Sequence, residues 1–129
     1  MEGSKSKILI IEDDAALCEL LDTYLGPSYD VKATINSLLA WEWLREGNFP
    51  DLILTDFKMP YVNGSELIEN LRTSGLYKEI PIIILTGSKE RSLLDHCETW
   101  GIDTIVTKPF NPEDLIMTIE NTLKQTKHA

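Results

Sequence analysis

The chain has 129 residues, 43% hydrophobic and 26% charged, which suits one globular domain over residues 1–129 with a substantial core. A formal net charge of −9 argues against direct nucleic-acid binding and fits a protein that holds a cation or meets basic partners. No apolar run reaches membrane-span length and the N-terminus is not a secretory leader, so a cytoplasmic protein without membrane association is expected.

Cys18 and Cys97 lack metal-ligand spacing, and the chain offers only His96 and His128 besides them, too few ligands to suggest zinc, so they are expected to be reduced packing residues. Most of the acids serve only solubility on this reading.

Lys7–Ile11 is a continuous apolar run, the pattern of a strand buried on both faces, and it stops at Glu12-Asp13-Asp14. Three adjacent acids repel one another and call for water or a cation, unless one of them, Asp14 being best placed, caps the following helix. That helix is expected to bury Leu17, Leu20, Leu21 and Tyr24 and to end at Gly26-Pro27. A short second strand spans Tyr29–Thr34. A second helix, capped by Asn36 or Ser37, turns Ala40, Trp41 and Leu44 inward and leaves Trp43 more exposed.

Gly47 to Pro50 leads into Asp51-Leu-Ile-Leu-Thr-Asp56, a buried run that ends on a carboxylate before Met59-Pro60. Taken singly, Asp56 reads best as a turn or capping residue. A third helix, from about Gly64 to Thr73, buries Leu67, Ile68 and Leu71. The fourth strand, Ile80–Leu85, ends at Thr86-Gly87-Ser88, and a fourth helix over about 89–99 carries Leu93, Leu94 and Cys97 inward. The fifth strand, Gly101–Val106, ends at Thr107-Lys108-Pro109-Phe110. The last helix opens with Asn111 as cap, Pro112 in the first turn and Glu113 and Asp114 favouring the dipole. Leu115, Ile116, Ile119 and Leu123 form its buried stripe, with Lys124 and Lys127 near its end.

Five strand–helix units in strict alternation predict an α/β, doubly wound domain: a parallel sheet covered by helices on both faces. Its strands all end on one edge, where open α/β sheets bind ligands. That edge gathers Glu12, Asp13, Asp56, Thr86 and Lys108. Carboxylates from two strands offer the hard oxygen donors that Mg²⁺ prefers, while the Thr86 hydroxyl and Lys108 ammonium have no evident partner except an anion. The set suits phosphoryl transfer onto a carboxylate, with room at Gly87 for the phosphoryl group and a backbone N–H to hold it. Each residue alone has an ordinary structural role; four strand ends converging favour a site.

The motifs Ile8-Leu-Ile-Ile-Glu-Asp-Asp14, Asp51–Asp56 with Met59-Pro60 and Asn63-Gly64, Ile82-Ile-Ile-Leu-Thr-Gly87 and Thr107-Lys-Pro-Phe110 resemble those of response-regulator receiver domains. The likeness covers about residues 7–125. It implies a flavodoxin-like (βα)5 sandwich with strand order 2-1-3-4-5, an order the general account of such folds already gives for a member of this family. It also implies that Asp56 accepts a phosphoryl group from a histidine kinase or histidine phosphotransfer protein. Asp13, Asp56 and the Lys58 backbone carbonyl would ligate Mg²⁺, Glu12 would act through water, and Thr86 and Lys108 would contact the phosphoryl oxygens. A cis Lys108–Pro109 peptide is implied as well. The output would leave through the fourth helix, fifth strand and last helix toward a downstream effector domain or protein, a face that forms homodimers in some members.

Such a domain is a signalling phosphoacceptor that promotes only its own phosphorylation and dephosphorylation, not an enzyme. Several positions depart from the usual pattern: Ile105 where many members carry an aromatic, Lys58 where methionine is frequent, Trp100 where a small residue is usual, and the Tyr61-Val62 loop. Ile105 predicts switching through Thr86 and the loop after it without an aromatic gate, and the Lys58 ammonium is free to reach the phosphoryl group or Glu12. A degenerate receiver acting only as an interaction module is the alternative. A phosphatase is disfavoured because Lys58 stands where a second acid would activate water, and a nucleotide or flavin domain because the glycine-rich turns are missing.

Overall fold

The computed structural model describes residues 5–56, 64–87, 95, 98–102 and 104–127. Its strands are β1 (Lys7–Ile11), β2 (Asp30–Thr34), β3 (Leu52–Asp56), β4 (Ile82–Thr86) and β5 (Thr104–Thr107). The helices are α1 (Ala15–Leu25), α2 (Ser37–Arg45), α3 (Gly64–Thr73) and the C-terminal helix (Pro112–Lys127). Strands pair in parallel in the order β2-β1-β3-β4-β5.

The apolar runs have no polar alternation because the sheet is covered on both faces. Leu9, Ile11, Ile53, Ile82 and Ile84 pack with Ala40 and Leu44 of α2 and with Leu67, Ile68 and Leu71 of α3. Ile8, Ile10, Leu52, Leu54, Ile83 and Leu85 face the other way, onto Leu21 and Leu25 of α1 and Leu115, Ile119 and Leu123 of the C-terminal helix. Successive strand residues thus serve opposite cores, each large side chain contributing about 1.5–3 kcal/mol on full burial. That drive anchors β1, β3 and β4 and with them the loops at their carboxyl ends.

Helix starts follow the expected chemistry. Asp14 accepts from the Leu17 N–H at 3.2 Å and Asn36 from the Leu39 N–H at 2.8 Å, so Asn36 and not Ser37 caps α2. Asn111 accepts from the N–H groups of Glu113 and Asp114 at 2.8 and 3.4 Å. Gly47 and Gly101 take φ of +100° and +63°, the left-handed turns that release the chain from helix toward strand.

Several expectations need correction. In α1 the buried stripe is Cys18, Leu21 and Leu25, whereas Leu20 is 59% and Tyr24 37% exposed. Both stripes obey helical spacing; docking between β1 and β2 selects the one that includes the small Cys18, whose thiol reaches the Thr34 carbonyl at 3.5 Å. Trp43 is half-buried against the same core as Trp41. The second, fourth and fifth strands begin at Asp30, Ile82 and Thr104, later than expected, because Tyr29, Ile80 and Gly101 belong to the turns feeding them. Trp100 packs half-buried on the α2–α3 side, with Ile105. The Lys58, Met59-Pro60 and Asn63 motif residues, and Leu93, Leu94 and Cys97 of the fourth helix, lie outside the described residues.

Candidate functional site

The strand register builds the site. Ile11 pairs with Thr55, so Glu12 continues alongside Asp56, and Asp56 pairs with Leu85, which puts Thr86 one step beyond on the neighbouring strand. Thr86 pairs with Thr107, and the Lys108 N–H donates to the Thr86 carbonyl at 2.7 Å. The Lys108–Pro109 peptide is cis, as the sequence motif implied. Register alone therefore delivers Glu12, Asp56, Thr86 and Lys108 to one edge.

Their environments differ. Glu12 is fully buried, Asp56 is 8% exposed, Thr86 is buried and Asp13 is exposed. The Lys108 ammonium donates to Glu12 Oε1 at 2.8 Å and Asp56 Oδ2 at 3.3 Å. The Asp14 N–H donates to Glu12 Oε2 at 3.1 Å. Glu12, Asp13 and Asp56 each offer an oxygen within 4.8 Å of the others.

A model of the response regulator receiver domain matches residues 8–120. The chain belongs to that family. The receiver is 31% identical over 126 residues to the hybrid signal transduction histidine kinase D of Dictyostelium discoideum, covering 96% of this chain and 8% of that protein. It is 28% identical to a chemotaxis protein CheY homolog of Campylobacter jejuni, covering 91% of this chain and 92% of the relative. The crystal structure of a CheY-like receiver domain protein from Methanospirillum hungatei superposes with a TM-score of 0.89 at 28% identity, over 97% of this chain and 98% of that one. Other relatives are longer, and the receiver spans 51% to 54% of their length.

Electrostatics at the receiver's edge follow from burial. Loss of hydration pushes the Glu12 carboxyl up to about 7, with the Asp56 charge adding to it and the Lys108 and Asp14 hydrogen bonds opposing it. Burial works against the Lys108 charge too, but the Glu12 hydrogen bond and the Asp56 and Glu12 carboxylates outweigh it and hold its pKa above the ordinary value. The ammonium is therefore a fixed cation. It meets part of the charge demand that the Glu12-Asp13-Asp14 run creates, while Asp14 is spent on capping α1.

The receiver thus assembles Glu12, Asp13, Asp56, Thr86 and Lys108 as expected from sequence. The anions that meet Lys108 here are the receiver's own carboxylates, partners that charge counting did not single out. Gly87 is exposed, and a Cβ there would touch no atom within 4 Å, so the space beside it is open. The Lys58 carbonyl lies outside the described residues. Three hard oxygen donors from two strand ends, next to an ammonium, fit a small divalent cation such as Mg²⁺ with several of its waters kept. Among the described residues no helix is long and apolar enough to cross a membrane.

Proposed function

We propose that this receiver is a single domain with its core over residues 7–125 and that Asp56 accepts a phosphoryl group from the phosphohistidine of a histidine kinase or a histidine phosphotransfer protein. An Asp56 oxygen attacks phosphorus; the P–O bond forms as the P–N bond breaks, and its electron pair leaves on the imidazole nitrogen. Asp56 is favoured over its neighbours by access combined with polarity. Glu12 is sealed from an incoming donor and Asp13 is out in solvent, whereas Asp56 is partly accessible and 3.3 Å from the Lys108 ammonium. That combination is the observation on which the reading rests.

Asp13 and Asp56 would hold Mg²⁺ and Glu12 would act on it through water. Mg²⁺, when bound, supplies charge neutralisation at the phosphoryl oxygens. Lys108 offers the same phosphoryl group a fixed ammonium, the Thr86 hydroxyl donates to one of its oxygens, and the Gly87 N–H donates to another. Phosphorylation replaces one negative charge by nearly two, so Lys108 must divide its attraction anew between Glu12 and the modified Asp56. The Lys108 N–H on the Thr86 carbonyl links that change to β4 and β5, and the output surface would be that of the fourth helix, β5 and the C-terminal helix. There the receiver would meet a downstream effector domain or protein, or a second receiver in a homodimer.

The test is incubation with acetyl phosphate and Mg²⁺, read by intact-mass spectrometry. Wild type should gain one phosphoryl group, and Asp56→Asn or chelation of the metal should prevent it. No gain in wild type, or an equal gain in Asp56→Asn, overturns the proposal.

A further inference from the structure

β2 is an edge strand, and its open side adjoins a groove of about 240 Å³ that runs along the outer flank of α2. Leu39, Glu42, Trp43 and Glu46 line one wall at the i, i+3, i+4, i+7 spacing of a helix face, and Lys32 and Ile35 line the other. Ile35 is 47% and Leu39 42% exposed, so the apolar floor is uncovered. Lys32, Glu42 and Glu46 make no ion pair with any described residue.

Among the described residues no strand pairs with the outer edge of β2 beside this floor. Asp30 donates its N–H to the Ser6 carbonyl at 2.9 Å, and the Thr34 carbonyl accepts from Glu12 at 3.0 Å, so both residues are turned toward β1. Strand alternation then directs the N–H and C=O groups of Val31 and Ala33 away from β1, toward the open edge. The groove is smaller than the usual small-molecule site, and an unpaired strand edge offers what an extended backbone needs.

We propose that an extended, basic segment of a partner protein adds as a strand beside β2. Its backbone pairs with Val31 and Ala33, alternate apolar side chains rest on Ile35, Leu39 and Trp43, and a basic side chain lies between Glu42 and Glu46. The charge selects this occupant over a second copy of the receiver, because antiparallel β2–β2 pairing brings Lys32 against Lys32, whereas a basic side chain of a partner meets the two carboxylates of Glu42 and Glu46. The proposal stands apart from phosphoryl transfer, since none of its residues lies in the Asp56 cluster.

The probe is a short fluorescent peptide alternating lysine and valine, titrated into the full chain, with an alternating glutamate–valine peptide as control. Only the basic peptide should bind, and on binding the amide protons of Val31 and Ala33 should gain hydrogen-exchange protection. Ala33→Pro removes an outward donor without touching a β1 bond, and Glu42→Lys with Glu46→Lys reverses the rim. Each should weaken binding on the order of tenfold or more while phosphorylation by acetyl phosphate is unchanged. Protection elsewhere on the chain, binding that survives both variants, or dimerisation through β2 in sedimentation overturns the proposal.

Discussion

Arg72, in the last turn of α3, ties together two segments that follow it in the chain. Its Nε donates to the Trp100 carbonyl at 2.8 Å and its Nη1 to the Ile80 carbonyl at 2.7 Å, both partly buried. More exposed bonds run to the carbonyls of Lys78 at 3.1 Å and Gly101 at 3.4 Å. Arg72→Met keeps most of the apolar stem and deletes the guanidinium. Hydrogen bonds to charged groups contribute about 1.5–3 kcal/mol each. Counting the two short bonds at the low end, and the exposed pair as water-replaceable, the substitution costs about 3 kcal/mol. For a domain of this length the entropy of unfolding converts that to a fall in Tm of about 10 °C, measured by calorimetry. Arg72→Lys should recover less than half of the loss, because an ammonium cannot span carbonyls lying in different directions. A Tm within about 2 °C of wild type for Arg72→Met, or full rescue by lysine, refutes the reasoning.

Two further outcomes follow from the site and from the opposite core. Lys108→Met should slow phosphorylation of Asp56 by acetyl phosphate on the order of a hundredfold, the usual loss when one donor to a developing oxyanion is removed; an unchanged initial rate would exclude the ammonium from the transfer step. Burial, with a smaller push from Glu120, raises the pKa of the Tyr29 hydroxyl above its usual value of 10.0. The folded protein then keeps a proton that the unfolded chain loses, so stability should fall as pH rises above the ordinary tyrosine pKa. Melts of Tyr29→Phe should lack this contribution, and an alkaline loss of Tm identical in the two proteins would show that Tyr29 does not cause it.

How legible the molecule is in its sequence depends on whether the deciding interaction is local. The runs Ile8–Ile11 and Leu52–Leu54 carry no polar residue on either face, and only a sheet sandwiched between helices buries both, so layer order is readable. Asp14, Asn36 and Asn111 sit within three residues of the N–H groups they satisfy, and caps are readable for the same reason. The α1 stripe is not, because Leu17, Leu20, Leu21 and Tyr24 and the actual Cys18, Leu21 and Leu25 are both sound helical faces. The tie goes to whichever face the neighbouring strands leave room for. Arg72 is illegible for another reason: its partners are backbone carbonyls as many as 29 residues away, and every residue has a carbonyl.

The site obeys the same distinction at shorter range. That Glu12, Asp13, Asp56, Thr86 and Lys108 converge follows from parallel strands ending on one edge, and identity plus topology suffice to read it. What each acid is for does not follow, because that is set by depth. Glu12 and Asp13 are adjacent and chemically alike, yet one is sealed beneath the edge with its pKa near 7 and the other stands in solvent. The difference arises because Lys108 reaches across from the end of β5 and takes Glu12 at 2.8 Å, compensating a charge that would otherwise be forced out into water. Depth also separates Asp56 from both: it keeps enough exposure to meet a donor and enough enclosure to feel the ammonium at 3.3 Å. On the proposed function, a carboxylate out in solvent lies away from the ammonium's enclosure and one fully enclosed is out of a donor's reach, so Asp56 is the acid of the three whose position would suit transfer.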